Sequence, residues 1–416
     1  MKNIQQAYQQ AKQKYIEHSI DTDKALTTLQ QKPISIHCWQ GDDVTGTEHR
    51  TTAFGGGIIA TGNYPGKARN HAELWMDLEK VLSLTPGASR VNIHAMYGAY
   101  DTQVDRDSVE PEHYQGWVDW AQHNNVKLDF NATLFAHPKA DTGFTLSSKD
   151  PETRRFWIEH VRRCREIADY IGSEQGSPCI HNLWIPDGMK DTTIDRYGYR
   201  AHLKESLDEI YSTKHKHVRD SVESKLFGLA SESYVVGSHD FYLGYAITNH
   251  LMPCLDLGHY HPTESVADKL TAILQYCDEL LLHISRGVRW DSDHVPVQSD
   301  QTQDIFHELA RSQTLDRAHI ALDYFDASIN RIGAWVTGIR ATQKTLLYAL
   351  LEPTDTLIEL EEQGRYFERL ALLEEMKTMP YGAIWDYYCW KNHVPVGVEW
   401  ILEVQRYEQQ VLSKRV

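Results

Sequence analysis

The segment PCLDLGHYHPTESVADKLTAILQYCDELLLHIS (253–285) holds two short apolar runs with a helical pattern between them. PCLDLG (253–258) and LLLHIS (280–285) have the length and content of buried strands. Between them, Val266, Leu270, Ile273, Leu274 and Cys277 recur at the three- and four-residue spacing of a helix face. A strand, a helix and a second strand in this order predict a parallel βαβ unit. Each run also ends in a polar side chain able to hold a metal ion: Asp256 in the first, His283 in the second.

The same unit recurs on both sides. Strand-like runs stand at ISIHCW (34–39), VNIHAM (91–96), KLDFNAT (127–133), IHNLWI (180–185), RDSVES (219–224) and HIALDYF (319–325). RDSVES is short and charged, and is the least strand-like of the set. Helical patterns such as HAELWMDLEKVLSL separate most of the runs. Eight runs with intervening helices predict a closed (β/α)₈ TIM barrel, with an open doubly wound sheet as the alternative. Residues 1–30 read as an N-terminal helix. Residues 355–416 have no strand signal and read as a helical extension that packs on the barrel or on a neighbouring subunit. The expected division is a catalytic barrel domain over 1–354 and the extension over 355–416.

Composition narrows the class. Of 416 residues, 41% are hydrophobic and 24% charged, which fits a packed globular core rather than disorder. Lys and Arg number 42 against 58 Asp and Glu, a net charge of -16, which disfavours nucleic acid as a partner. The six cysteines form no C-x-x-C pair and read as reduced core residues. MKNIQQAYQQAKQKY at the start lacks the apolar core of a signal peptide. No run approaches the roughly 18 apolar residues of a membrane span. A soluble, cytoplasmic protein is expected.

The chemistry lies at the ends of the runs. Glu223 ends the fifth, Asp256 the sixth (with His259 three residues on), His283 the seventh and Asp323 the eighth. Strand C-termini of a barrel share one bowl, so residues distant in sequence meet without a local motif. Mixed carboxylates and imidazoles suit Mn²⁺, Mg²⁺, Co²⁺ or Zn²⁺. No thiolate belongs to this set, which argues against a structural zinc site. WDSDH (290–294) adds Asp291 and Asp293 in an extended loop. With His259 they could bind a second ion nearby, Asp256 or Glu223 bridging. Each residue also has a plain structural reading. Asp323 could cap a helix or pair with Arg331, Glu223 could pair with Lys225, and His283 could be a satisfied core residue.

Around this set stand Lys225, His94 at the end of the second run, and Asn131 near the end of the third. Lys225 lies two residues after Glu223 and so faces the same way on an extended chain. A lysine there can polarise a sugar carbonyl or hold a hydroxyl. Trp39, Phe135 and Trp184 are candidates for apolar walls against the C–H faces of a sugar, or for core. The glycine-rich FGGGIIATGNYPGKARN (54–70) lacks G-x-G-x-x-G and the spacing of a phosphate loop, and reads as a shaped loop over the barrel mouth. G-x-S-x-G is absent, so a serine hydrolase is unsupported.

The sequence resembles the L-rhamnose isomerases along nearly its whole length. The resemblance rests on HCWQGDDV (37–44), ATGNYPGKARN (60–70), LDFN (128–131), WIPDGMKD (184–191) and VESKLFG (222–228). It continues through CLDLGHYHPTE (254–264), LLHISR (281–286), VRWDSDHV (288–295) and LDYFDASINRI (322–332). Ile59 departs from the polar residue expected there. The resemblance implies a (β/α)₈ barrel, a homotetramer and two divalent ions per subunit, commonly Mn²⁺. It implies that Glu223, Asp256, His283 and Asp323 hold one ion and that His259, Asp291 and Asp293 serve the second. It places Lys225 and His94 near the sugar. The implied reaction interconverts L-rhamnose and L-rhamnulose. His94 or Asp323 assists ring opening, and hydrogen then moves between C1 and C2, by a metal-mediated hydride shift rather than through an enediol. The competing readings are an isomerase of mannose, lyxose or allose, a metal-dependent barrel hydrolase, and a binding protein on a retired barrel, which would be expected to have lost ligands.

Overall fold

Eight short strands close into a parallel barrel. They are β1 (Ile34–His37), β2 (Ser89–His94), β3 (Lys127–Asn131), β4 (Cys179–Leu183), β5 (Val218–Glu223), β6 (Met252–Asp256), β7 (Leu280–Ile284) and β8 (Ala318–Leu322). Each pairs in parallel with its neighbours in the chain, and β8 returns to β1. The structure is a computed structural model and describes residues 2–48, 60–100, 102–226, 232–288 and 291–415. All eight strand-like runs become barrel strands, RDSVES included.

The helices follow the strands in strict alternation. Before β1 lie α1 (Lys2–Ile16) and α2 (Thr22–Gln31). Then come α3 (His71–Leu82), α4 (Gln115–His123), α5 (Pro151–Glu174), α6 (Arg196–Ile210), α7 (His239–Asn249), α8 (Ala267–Ile273), α9 (Asp300–Arg311) and α10 (Arg331–Leu350), one after each strand. Several of their starts are fixed by side-chain caps, which satisfy amides the helix leaves open. Asn70 caps α3, Asp150 caps α5 with Pro151 next, Ser299 caps α9 and Asn330 caps α10.

Two helix expectations are corrected. The N-terminal helix is two helices, because Ser19 takes a left-handed conformation and Asp21 caps a new start by accepting from the amides of Asp23 and Lys24. The long pattern after β6 forms only the seven-residue α8, which ends in a run of turns before β7.

Period-two alternation gives the barrel an inside and an outside. Ile180, Met252, Cys254, Leu281 and Ala321 form a separate apolar plug. The alternate residues, such as Ile36, Ile93, Phe130, Leu282 and Leu322, join the shell between strands and helices. Beside the plug, Asp129 accepts from the Ile180 amide and from Ser35 at 2.6 Å, and pairs with Arg90 at 2.7 Å. Above it, the inward positions at the strand ends are polar.

The chain ends in α11 (Thr354–Glu362), α12 (Tyr366–Met376), α13 (Tyr381–Lys391) and α14 (Glu399–Gln410). Tyr387 of α13 stacks on Tyr8 of α1 at 3.9 Å. Arg415 and Tyr407 both bind Asp77 of α3. This segment therefore folds back onto the helical layer. No helix among the described residues is long and apolar enough to cross a membrane.

Candidate metal centre at the barrel mouth

The bowl is built from the inward-facing residues at the strand ends. β5, β6, β7 and the residue just after β8 contribute Glu223, Asp256, His283 and Asp323. Ligand-type atoms of these four lie within 4.8 Å of one another. His283 Nδ1 stands 3.4 Å from Glu223, 3.7 Å from Asp256 and 3.3 Å from Asp323. His259 closes on the other oxygen of Glu223 at 3.2 Å. Glu223 thus lies between two imidazoles, with one oxygen toward each.

The donors that hold these carboxylates are uncharged. Asn182 Nδ2 donates to Glu223 Oε2, Trp39 Nε1 to Asp323 Oδ1, and Ser285 Oγ with the Gly258 amide to Asp256 Oδ1. Asp129 and Asp77 take arginines, Arg90 and Arg415, and the lone buried Asp187 takes the neutral donors of Thr145 and Ser147; what sets the bowl apart is three carboxylates together. Three carboxylates converging out of water with only neutral donors would be costly without a counter-charge.

The proton balance has the same origin. Burial raises the pKa of Asp256 to about 6. For Glu223, burial pushes the same way, but the His283 and His259 charges hold it below the ordinary range. Burial works against charge on His283, yet the neighbouring carboxylates of Glu223 and Asp323 keep its pKa well above the usual imidazole value. An imidazolium neutralises part of this charge; a divalent cation neutralises more of it. Glu223 Oε1 and His283 Nδ1, which faces the carboxylates, are buried without a hydrogen-bond partner among the described residues, an arrangement that costs stability unless the atoms converge on an ion. The residues present therefore fit a divalent cation.

Two plain readings of these residues are set aside. Arg331 does not pair with Asp323: it binds Asp43 at 2.7 Å and the carbonyls of Tyr64 and Pro65. Lys225 does not pair with Glu223: its ammonium makes no hydrogen bond among the described residues and lies 4.7 Å over the Trp184 ring. Burial lowers its pKa to about 7. One expectation is amended. Cys254 lies just beneath the cluster, its sulfur within 4.8 Å of ligand atoms of Glu223 and His283. Burial raises its pKa, so it stands there as a neutral thiol.

One wall is aromatic. Trp39 meets His94 edge-on at 4.7 Å, His94 meets Phe135 at 5.5 Å, and Phe135 meets Trp184 at 6.0 Å. Thr133 Oγ1 stands 3.1 Å from His94 Nδ1, and the Asn131 amide 3.4 Å from Nε2. Burial lowers the His94 pKa to about 4, so the ring is neutral at neutral pH. Arg106 fixes the loop behind Phe135 by donating to the carbonyls of Thr133 and Phe135.

Asp291 begins the second strand of a hairpin, Arg286–Val288 with Asp291–His294. The side chains of Asp291 and Asp293 lie outside the described residues, as does Ile59. Reading the sequence alone misses Asn182, Ser285 and Thr133. The signal for Asn182 was parity: it shares the inward face of β4 with Ile180 and Trp184.

Comparison with known proteins agrees over the full length. The profile of the L-rhamnose isomerase (RhaA) family matches residues 2–415. An L-rhamnose isomerase of Bacteroides thetaiotaomicron is 54% identical over 413 residues, covering 99% of each chain. One from Rhodopirellula baltica is 52% identical over 415 residues, covering 99% of this chain and 97% of its own. One from Yersinia pseudotuberculosis is 54% identical over 415 residues, covering 99% of each. With this match spanning every strand that supplies the bowl, the chain belongs to the L-rhamnose isomerase family.

Proposed function

We propose that the protein interconverts L-rhamnose and L-rhamnulose in the barrel mouth, and that the reaction depends on divalent cations. The observation that carries this reading is the convergence of Glu223, Asp256, His283 and Asp323 with only uncharged donors behind the carboxylates, in a chain of this family. These four would hold one cation, and His259 with Asp291 and Asp293 would serve a second. Mn²⁺ is the proposed ion, with Co²⁺, Zn²⁺ and Mg²⁺ as alternatives. A bound cation supplies positive charge to the two sugar oxygens whose charge changes between aldose and ketose.

The chain's own residues do the rest. The neutral His94 ring has a lone pair to take a proton during ring opening, and Thr133 and Asn131 fix its orientation. Asp323 is the other group in reach of that role. Lys225 lies over the Trp184 ring, its ammonium without a hydrogen bond among the described residues, and would donate to a sugar oxygen. Trp39, Phe135 and Trp184 offer apolar faces to the sugar's C–H groups and exclude water. Nearly every carboxylate of the cluster would be committed to a cation, so none is left as a free base at C2. Hydrogen is therefore read as passing directly from C2 to C1.

We further propose that residues 1–354 form the catalytic body and that 355–416 serve assembly into a homotetramer. Exposed Tyr366, Phe367 and Leu370 on α12 support the second part. Six buried free cysteines suit a reducing, cytoplasmic setting.

The test is an assay in D₂O on chelator-treated protein given back Mn²⁺, with mannose, lyxose and allose beside L-rhamnose. Fastest turnover of L-rhamnose, with little solvent deuterium on the product carbon, is expected. A faster rate on another aldose would move the substrate assignment, and stoichiometric deuterium would replace the direct transfer by an enediol.

A further inference from the structure

We propose that Asn182 is a positioning residue of the cation seat, setting the affinity of that seat by orienting Glu223. The inference rests on reading the cluster as a seat for a divalent ion.

Asn182 is buried in β4, on the inward face between Ile180 in the plug and Trp184 in the aromatic wall. Its Nδ2 donates to Glu223 Oε2 at 2.5 Å. Two oxygens at that separation would repel, so the NH₂ side of the amide faces the carboxylate. Glu223 has a long side chain with three torsions to fix, and it must present one oxygen toward His283 and the other toward His259. A hydrogen bond from the adjacent strand removes that freedom before any ion arrives, so less order has to be gained on binding.

The chemistry of the donor matters as much as its place. An arginine here would orient Glu223 equally well and cancel its charge, as Arg165 does for Asp220 earlier in β5. A neutral amide orients the carboxylate and leaves its charge for a cation. The same choice recurs at Asp323, held by the Trp39 indole, and at Asp256, held by Ser285 and a backbone amide. Asn182 differs from these in holding the one carboxylate that lies between both imidazoles.

The test is Mn²⁺ titration of chelator-treated protein, with free ion read by its paramagnetic resonance signal. Wild type, Asn182→Ala, Asn182→Ser and Glu223→Gln are compared, and thermal midpoints are taken without metal. Asn182→Ala should weaken Mn²⁺ binding about 10- to 100-fold, the usual effect of losing a partner that orients a metal ligand. Its metal-free midpoint should fall modestly, because Glu223 loses one buried donor, and the shorter donor in Asn182→Ser should recover part of the affinity. If Asn182→Ala does not fold, Asn182→Ser carries the same comparison with a smaller loss. Wild-type affinity in the Asn182 variants, beside lost binding in Glu223→Gln, would overturn the positioning role and leave the seat standing. Wild-type affinity in Glu223→Gln as well would remove the seat itself.

Discussion

Lys225 is an ammonium buried beside an indole, and burial brings its pKa down to about 7. A cation kept at that cost, with no hydrogen bond among the described residues to repay it, points to work on a substrate rather than to stability. Replacing it with the similarly sized Met should lower kcat on L-rhamnose about 100-fold or more, with Mn²⁺ affinity retained. Cys277, buried at the far end of the α8 segment, makes the control: Cys277→Ser should keep both. Full turnover by Lys225→Met would remove the lysine from the chemistry. At this scale the sequence is legible where parity and strand ends coincide. Glu223, Asp256, His283 and Asp323 each stand at an inward position ending a run, so their meeting follows once the barrel is accepted. Asn182 is not legible in the same way. A buried asparagine in a strand has many uses, and its partner is 41 residues away in another strand. Trp39 reads as a wall, but the direction of its N–H toward Asp323 emerges only when β1 and β8 are side by side.

Between elements, the joint of α5 with β5 is a buried ion pair. Arg165 binds Asp220 through two nitrogens and also donates to the carbonyls of Ile210 and Thr213. Burial would raise the Asp220 pKa, but His181 and Arg165 bring it down to about 2, below the value near 3.8 of a free carboxyl. A depressed carboxylate stabilises the fold above its unfolded pKa and loses that contribution as pH falls through the folded one. Asp220→Asn should therefore cost about 3 kcal/mol at pH 7, chiefly by leaving Arg165 unpaired. The gap to wild type should narrow between pH 4 and pH 2, as measured by urea unfolding across that range. A gap that widens on acidification would contradict the assignment. Strands and most helices were legible from periodicity because each buries one face. The break between α1 and α2 was not, since it turns on the backbone of Ser19, and no glycine or proline marks it. The early end of α8 has the same character: its apolar spacing runs on into residues that form turns.

For the whole molecule, an ion held by the cluster would tie the barrel's closure to its chemistry. β5, β6, β7 and β8 each contribute one residue, so the seat exists only in the closed fold. An ion that binds the folded chain and not the unfolded one adds stability, about 2.7 kcal/mol at a hundredfold excess over its Kd. Chelation should thus lower the thermal midpoint as well as activity. The C-terminal helices, tied to α1 by Tyr8 and Tyr387 and to α3 by Asp77, are far from these residues in sequence, and the sequence leaves open whether they pack on the barrel or on a neighbour. Helical periodicity predicted the helices but not their docking, because an apolar stripe does not name the surface that covers it. The most direct test of the central claim is the rate of L-rhamnose isomerisation measured against bound divalent ion per chain, as Mn²⁺ is returned to metal-free protein. The account predicts almost no turnover without ion and a rate that rises with occupancy of the seat. Full turnover by the ion-free protein would contradict it.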